Sequence, residues 1–287
     1  MNMLKYTKAV ISASLAILAF SSCGPKAEPF FFVQISDPQI GFNPGNEKVT
    51  IDWFSSTVDK INELKPDFVI CTGDMTHDMF NNPWHIAAYD SLAAMISVPL
   101  YYAPGNHDFR TKEWPGSREF YAGHFGDDKF CFMHKGSLFI GFDSNLAGED
   151  LKEEEAEQFE WITAQLTKYG RKAKHIFLFH HCPVVSTSVD EEDNYSNFHE
   201  PYRSKYLNMF KEYGVEIVFS GHYHRYAEME VDGVKLVNCG AAGIPLGAKD
   251  AMGRPNTHCL NVVTVKPKEP ATWNCVPVEE AQAPVLK

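Results

Sequence analysis

Seven residues of metal-ligating type stand in five short motifs: Asp37 and Gln39 in SDPQ, Asp74 in TGDM, Asn106 in GNHD, His181 in HHCP, and His222 with His224 in GHYH. Carboxylate, amide and imidazole donors in such a mixture suit divalent first-row ions. A two-metal hydrolase holds its cations about 3.5–4 Å apart, which calls for a ligand shared between them. A carboxylate has two oxygens, so Asp74 is the natural bridge. Asp37, Gln39 and His224 then complete one metal site, and Asn106, His181 and His222 complete the other. Two divalent ions against two carboxylates and one bridging hydroxide leave the centre about one unit positive. A centre of that charge attracts phosphate, and the chemistry it predicts is phosphoester hydrolysis by a hydroxide activated between two metals.

Taken singly, each of these residues has an ordinary structural use: an aspartate after a strand caps turns, and a histidine on a strand packs in cores. The ordered set is what points to metals. Of the adjacent pair His180 and His181, the ligand is the one in the spacing His, any residue, Pro, and strand alternation turns His180 the other way, toward packing. His107 follows Asn106 directly and cannot easily share its metal. A free imidazole there can hold the transferring phosphoryl group or protonate the leaving oxygen, a contribution of about 10²–10⁴-fold. Asp108 or Asp78 is placed to keep that ring cationic, which makes His107 and Asp108 the candidate catalytic residues. Arg254 is a candidate phosphate contact, because guanidinium pairs phosphate oxygens bidentately.

The elements that must position these residues follow from hydrophobic patterning. Each motif closes an apolar, β-rich run: FFFVQIS, DFVICTG, LYYAPG, HIFLFH and VEIVFSG. Such runs read as buried strands, and the C-terminal edge of an α/β sheet is where ligands bind. Helices are predicted over 47–64, 84–96, 201–213 and the run EEEAEQFEWITAQLTKYG, whose acids come first and whose Phe159, Ile162 and Leu166 form one stripe. The remainder (226–231, 234–238, 260–265, 271–276) reads as strand. An α/β first part with a β-rich tail implies two sheets packed face to face with helices outside. Two loops stand near the last motifs, an acidic one over 186–199 and a glycine-rich one over 240–253.

These motifs resemble those of the calcineurin-like metallophosphoesterase superfamily, over roughly residues 30–277. The resemblance implies a four-layer α/β/β/α sandwich of two mixed sheets with a dinuclear metal site at the strand ends. SDPQIGF, SVDEEDNY, IVFSGHYHR and GIPLGAKDAMGR look closer to one subgroup, the calcineurin-like phosphoesterase domain-containing proteins described as serine/threonine phosphatases. That likeness makes both loops candidate substrate rims. The superfamily usually has His where this chain has Gln39; a carbonyl oxygen is a harder ligand than imidazole, so Mn²⁺ or Fe is expected ahead of Zn²⁺. The expected activity is on phosphomonoesters, with phosphoproteins as a candidate substrate class. A phosphodiesterase acting on nucleotides or lipid headgroups is the alternative, and a non-catalytic, metal-stabilised binding lipoprotein is the third reading.

A formal charge of −11 over 287 residues argues against a nucleic-acid partner, which calls for a basic face. At the N-terminus, Lys5 and Lys8 precede an apolar stretch from Ala9 to Phe20 and then Ser21, Ser22 and Cys23. This is the layout of a secretory signal and is short of the ~20 residues that span a bilayer. It resembles a bacterial lipoprotein signal, which implies a signal peptide over 1–22, lipidation of Cys23, a tether over 23–29, the catalytic domain over 30–277 and a tail over 278–287. The protein is then expected to be exported and membrane-anchored, at the periplasmic or cell surface. The six other cysteines lack the paired spacing of a structural zinc site, and free cysteine packs well as a small buried residue. Cys182, beside His181, is a minor candidate soft ligand.

Overall fold

Alternation along the first strand, β1 (Phe30–Ile35), divides the interior into layers. Phe30 and Phe32 join one apolar cluster with Phe139, Phe177, Phe179 and Phe219. Phe31, Val33 and Ile35 join another with Phe54, Val58 and Ile61. Successive side chains of a strand point to opposite faces, so β1 is covered on both. In the computed structural model, which describes residues 28–42, 46–148, 151–245, 253 and 257–286, the first cluster lies between two sheets and the second beneath helices. The signal segment, Cys23 and Arg254 lie outside the described residues.

Helix α1 (Val49–Leu64) follows, and then β2 (Val69–Cys71), α2 (Pro83–Ala93), β3 (Leu100–Tyr102), α3 (Trp114–Phe125), β4 (Phe130–His134) and β5 (Ser137–Gly141). The chain continues through α4 (Lys152–Tyr169), β6 (Ile176–Phe179), α5 (Tyr202–Glu212), β7 (Ile217–Ser220), β8 (Ala227–Val231), β9 (Val234–Asn238), β10 (Cys259–Val265) and β11 (Thr272–Pro277). One sheet runs β11-β10-β1-β2-β3 and the other β4-β5-β6-β7-β9-β8. In the first, β1, β2 and β3 are parallel, while β10 and β11 are antiparallel. In the second, β5, β6, β7 and β9 are parallel and the outer strands β4 and β8 antiparallel. Residues of α1, α2 and α3 pack on the first sheet, and those of α4 and α5 on the second. The expected four-layer α/β/β/α sandwich of two mixed sheets is therefore present.

The region between Trp114 and Gly141 holds elements that hydrophobic patterning did not single out. Helix α3, WPGSREFYAGHF, contains a proline and two glycines, which weaken its helical signal. The β4–β5 hairpin turns on Lys135 and Gly136, both at positive φ (45° and 85°), as a two-residue type I′ turn requires. The core also runs past the expected domain edge at residue 277. Val278 and Ala281 are buried in the cluster beneath the first sheet's helices.

Candidate metal centre

All five motifs sit just after the C-terminal ends of β1, β2, β3, β6 and β7. Among the described residues, most of the non-glycine positions at positive φ belong to this rim: Asp37 (52°), Gln39 (39°), Asp74 (54°), His222 (73°) and His224 (54°). A non-glycine residue in that region costs on the order of 1–3 kcal/mol, and such strain concentrates at functional sites. The glycines beside them make room. A Cβ on Gly105 would lie 2.2 Å from Asp74 Oδ1, and one on Gly221 would lie 2.8 Å from Asp37 Oδ2. Asp108 fastens two of the loops: its Oδ2 accepts from the amides of Asp74 (2.7 Å) and Gly105 (2.8 Å), and its Oδ1 from that of Met75 (3.1 Å).

Hydrogen bonds to main-chain carbonyls set the tautomers of two histidines. His181 Nδ1 donates to Thr72 O at 2.7 Å and His222 Nε2 donates to Tyr195 O at 3.1 Å. Each neutral ring thus turns a bare lone pair inward, the arrangement by which neighbours orient metal-ligating histidines. Asn106 gives its amide Nδ2 to the Tyr195 hydroxyl at 2.7 Å, which leaves Oδ1 facing the rings. Asn106 Oδ1 stands 2.9 Å from His222 Nδ1 and 3.1 Å from His181 Nε2. His181 Nε2 is in turn 3.2 Å from His222 Nδ1 and 3.2 Å from Asp74 Oδ2. Four acceptors at such distances repel one another unless a cation or a proton lies among them.

Without metal, that role falls to a proton. Burial opposes charge on His181, yet Asp74 and Asp37 outweigh it and lift the imidazole to about 10. Burial and the neighbouring His181 push His222 down to about 3. Burial would raise both carboxyls, but His181 and its neighbours hold Asp37 and Asp74 below the usual carboxylate range.

The ligand-type atoms of Asp74, His181 and His222 lie within 4.8 Å of one another, as do those of Asp37, Asp74 and His224. Asp74 belongs to both groups. In the second, His224 Nε2 is 3.4 Å from Asp37 Oδ1. Asp37 Oδ1 and Gln39 Oε1 are buried without a hydrogen-bond partner, a costly state for polar atoms that a bound cation would relieve. The donor set therefore fits divalent ions, with Gln39 beside Asp37 on the same loop.

His107 is tied in through its amide, which donates to Asp74 Oδ1 at 2.8 Å. Its ring does not pair with Asp108 or Asp78 as expected. Nδ1 donates to His77 O at 2.7 Å, Asp108 is engaged by amides, and Asp78 lies 3.6 Å from Arg110. A short loop explains the difference: GNHD turns so tightly that Asp108 folds back under its own turn, bonding the Gly105 amide. His180 is buried against Phe142 and Phe198, as alternation predicts. Cys182 joins neither ligand group; its Sγ lies 3.9 Å from Tyr195 O.

Tyr195 is the residue that sequence reasoning passed over. Its loop was anticipated as a rim, but nothing local shows that one tyrosine reaches both Asn106 and His222. The loop is held by buried Arg203, 3.1 Å from Asp193, 3.2 Å from Glu200 and 3.9 Å from Glu191. A cavity of about 120 Å³ opens beside Asn106 and His222, lined also by Ser144, Asn145, Tyr195 and His199. On the other side, the His77 ring lies 4.9 Å from that of His107 at a tilt of 33°, and Phe42 packs 5.5 Å from His77 and 5.6 Å from His224.

The model of the family described as calcineurin-like phosphoesterase matches residues 32–226, the span that carries every one of these ligands. The chain belongs to that family. It is 32% identical over 261 residues to the serine/threonine-protein phosphatase CPPED1 of Bos taurus, covering 83% of this chain and 80% of the relative. In fold it is similar to the purple acid phosphatase PPD1 of yellow lupin, with a TM-score of 0.67, 16% identity and coverage of 90% of this chain and 53% of that one. It is also similar in fold to a dimetal phosphatase from Danio rerio, with a TM-score of 0.58, 17% identity and coverage of 85% and 98%. The protein is a hydrolase of phosphoric esters that works with divalent metal ions.

Proposed function

We propose that the protein is a phosphomonoesterase using two divalent cations, one held by Asp37, Gln39, Asp74 and His224 and the other by Asp74, Asn106, His181 and His222. The observation that carries this reading is the cluster of inward-facing acceptors around Asn106 Oδ1, joined through Asp74 to a second group whose polar atoms lack partners. Mn²⁺ or Fe suits the amide oxygens of Gln39 and Asn106 better than Zn²⁺ does. The ions, when bound, supply positive charge for the phosphate and lower the pKa of a water molecule to serve as nucleophile. His107 supplies the proton for the leaving oxygen. Because Nδ1 is committed to the His77 carbonyl, Nε2 is the nitrogen that meets the substrate. The amide bond from His107 to Asp74 keeps that ring in register with the metals.

Hydrolysis of p-nitrophenyl phosphate and of its bis ester, each with added Mn²⁺, tests the reading. Preference for the monoester supports it, and preference for the bis ester replaces it with phosphodiesterase action. A phosphoserine peptide in the same assay asks whether the activity named for the Bos taurus relative extends to this chain.

The N-terminal segment supports a further part of the reading, that the enzyme is exported and anchored through lipidated Cys23. Metabolic labelling with a fatty acid checks this: the Cys23→Ser protein should lose the label and leave the membrane fraction.

A further inference from the structure

Three of the cysteines converge at one place behind the catalytic edge. Cys239 directly follows β9, Cys259 opens β10, and Cys275 lies on β11. The Sγ atoms of Cys259 and Cys275 are 2.8 Å apart, between the ~2.0 Å of a disulfide bond and ordinary non-bonded contact. Their strands are antiparallel neighbours with Asn261 opposite Cys275. Cys259 is two residues from Asn261 and so shares a face with Cys275 as its diagonal neighbour. Cys239 Sγ approaches the Cys259 carbonyl at 3.8 Å. The remaining thiols among the described residues, Cys71, Cys131 and Cys182, have no cysteine neighbour within bonding distance.

The pair is placed for reaction. β11 is the edge strand of its sheet, and Cys275 is partly exposed while Cys259 is buried. An incoming reagent therefore meets Cys275 first, with Cys259 directly behind it. The two thiols share their protons unequally: hydrogen bonds from Cys239 and Cys275 hold Cys259 below the ordinary thiol range against burial, while the bond that Cys275 gives to Cys259, together with burial, holds Cys275 above it.

We propose that Cys259 and Cys275 form a redox-active dithiol that closes to an intramolecular disulfide on reaction with a small disulfide of the glutathione type. With Cys259 2.8 Å away to take its proton, Cys275 attacks one sulfur of the reagent and displaces a small-molecule thiolate. The Cys259 thiolate then attacks Cys275 in that mixed disulfide and displaces the second. The two thiol protons leave with the two small-molecule thiols; the protein is oxidised by two electrons and the reagent reduced by two. The cross-link fastens β10 to the sheet edge. That strand backs the catalytic loop, because Ala241 bridges both His258, next to Cys259, and Ser36, next to Asp37. The bond thus ties the sheet edge to the strand behind Asp37.

Oxidised glutathione added to the reduced full-length protein, followed by intact mass and peptide mapping without reductant, decides the matter. The expected product has lost two hydrogens, carries a Cys259–Cys275 cross-linked peptide, and melts at a higher temperature that falls back on adding dithiothreitol. Cys239→Ser should still form it, whereas Cys275→Ser should not and should show no reductant-dependent melting shift. A full complement of free thiols after treatment, a glutathione adduct that persists on Cys275, or a cross-link mapped to Cys239 would each overturn the proposal.

Discussion

The Tyr195 hydroxyl accepts the side-chain amide of Asn106 at 2.7 Å, while the Tyr195 carbonyl accepts Nε2 of His222 at 3.1 Å. One residue of the acidic loop thereby orients two proposed ligands of a single metal. Tyr195→Phe keeps the ring and the carbonyl but removes the acceptor that keeps Asn106 Oδ1 facing inward. Loss of such an outer contact typically costs about 10–100-fold in metal affinity or activity. Mn²⁺ titration of phosphatase activity should show the variant needing more metal for half-maximal rate. An unchanged titration curve at wild-type turnover would remove Tyr195 from the site.

His107 and Asp74 separate chemistry from metal binding. His107→Ala should lower kcat by roughly 10²–10⁴-fold and leave bound metal at the wild-type level, since His107 belongs to neither ligand group. Asp74→Asn, at the carboxylate common to both ligand groups, should lose metal and activity together. Elemental analysis beside the rate assay distinguishes the two patterns. A His107→Ala protein that also loses its metal would place that ring in the coordination sphere.

Gln39 should govern metal preference. Its Oε1 is buried and unpartnered, and substituting imidazole for this carbonyl makes the site softer. Gln39→His is expected to shift the order of activation from Mn²⁺ toward Zn²⁺ in chelator-stripped protein re-supplied with single metals. Identical metal ranking in the two proteins would show that this position does not select the ion.

Far from the centre, His175 joins the two sheets. Nδ1 meets Glu216 Oε2 at 2.6 Å before β7, and Nε2 donates to Lys266 O at 3.0 Å beyond β10. The hydrogen bond to Glu216 raises the imidazole above its ordinary 6.5, against burial. The folded protein thus binds this proton more tightly than the unfolded chain does. Its stabilisation is complete below the unfolded value of 6.5 and is lost as pH rises through the higher folded value. The gap in melting temperature between wild type and His175→Gln should be widest in mild acid and close in alkali. A gap that widens with alkali would contradict the assignment.

Much of the centre was legible because ligand chemistry is written in short stretches. SDPQ, TGDM, GNHD, HHCP and GHYH each keep their donors within a few residues of a strand end, and the spacing His, any residue, Pro singled out His181 from His180. The amphipathic stripes of α1, α4 and α5 were equally readable, since burial of one helix face is a local pattern. Helix α3 was not, because Pro115, Gly116 and Gly123 dilute its helical signal while Trp114 and Tyr121 bury themselves against distant partners.

From sequence alone, then, came the candidate ligands, the choice of Asp74 as the carboxylate common to two groups, and the strands and helices outside the 114–141 region, all of which depend on residue type and near-neighbour spacing. Only the folded chain decided that Asp108 secures backbone amides instead of His107, that Tyr195 reaches Asn106 and His222, and that Cys259 meets Cys275. Those contacts join residues far apart in sequence, and their partners are chosen by how two sheets stack and how loops fold back over their edge. No local pattern of side chains encodes that choice.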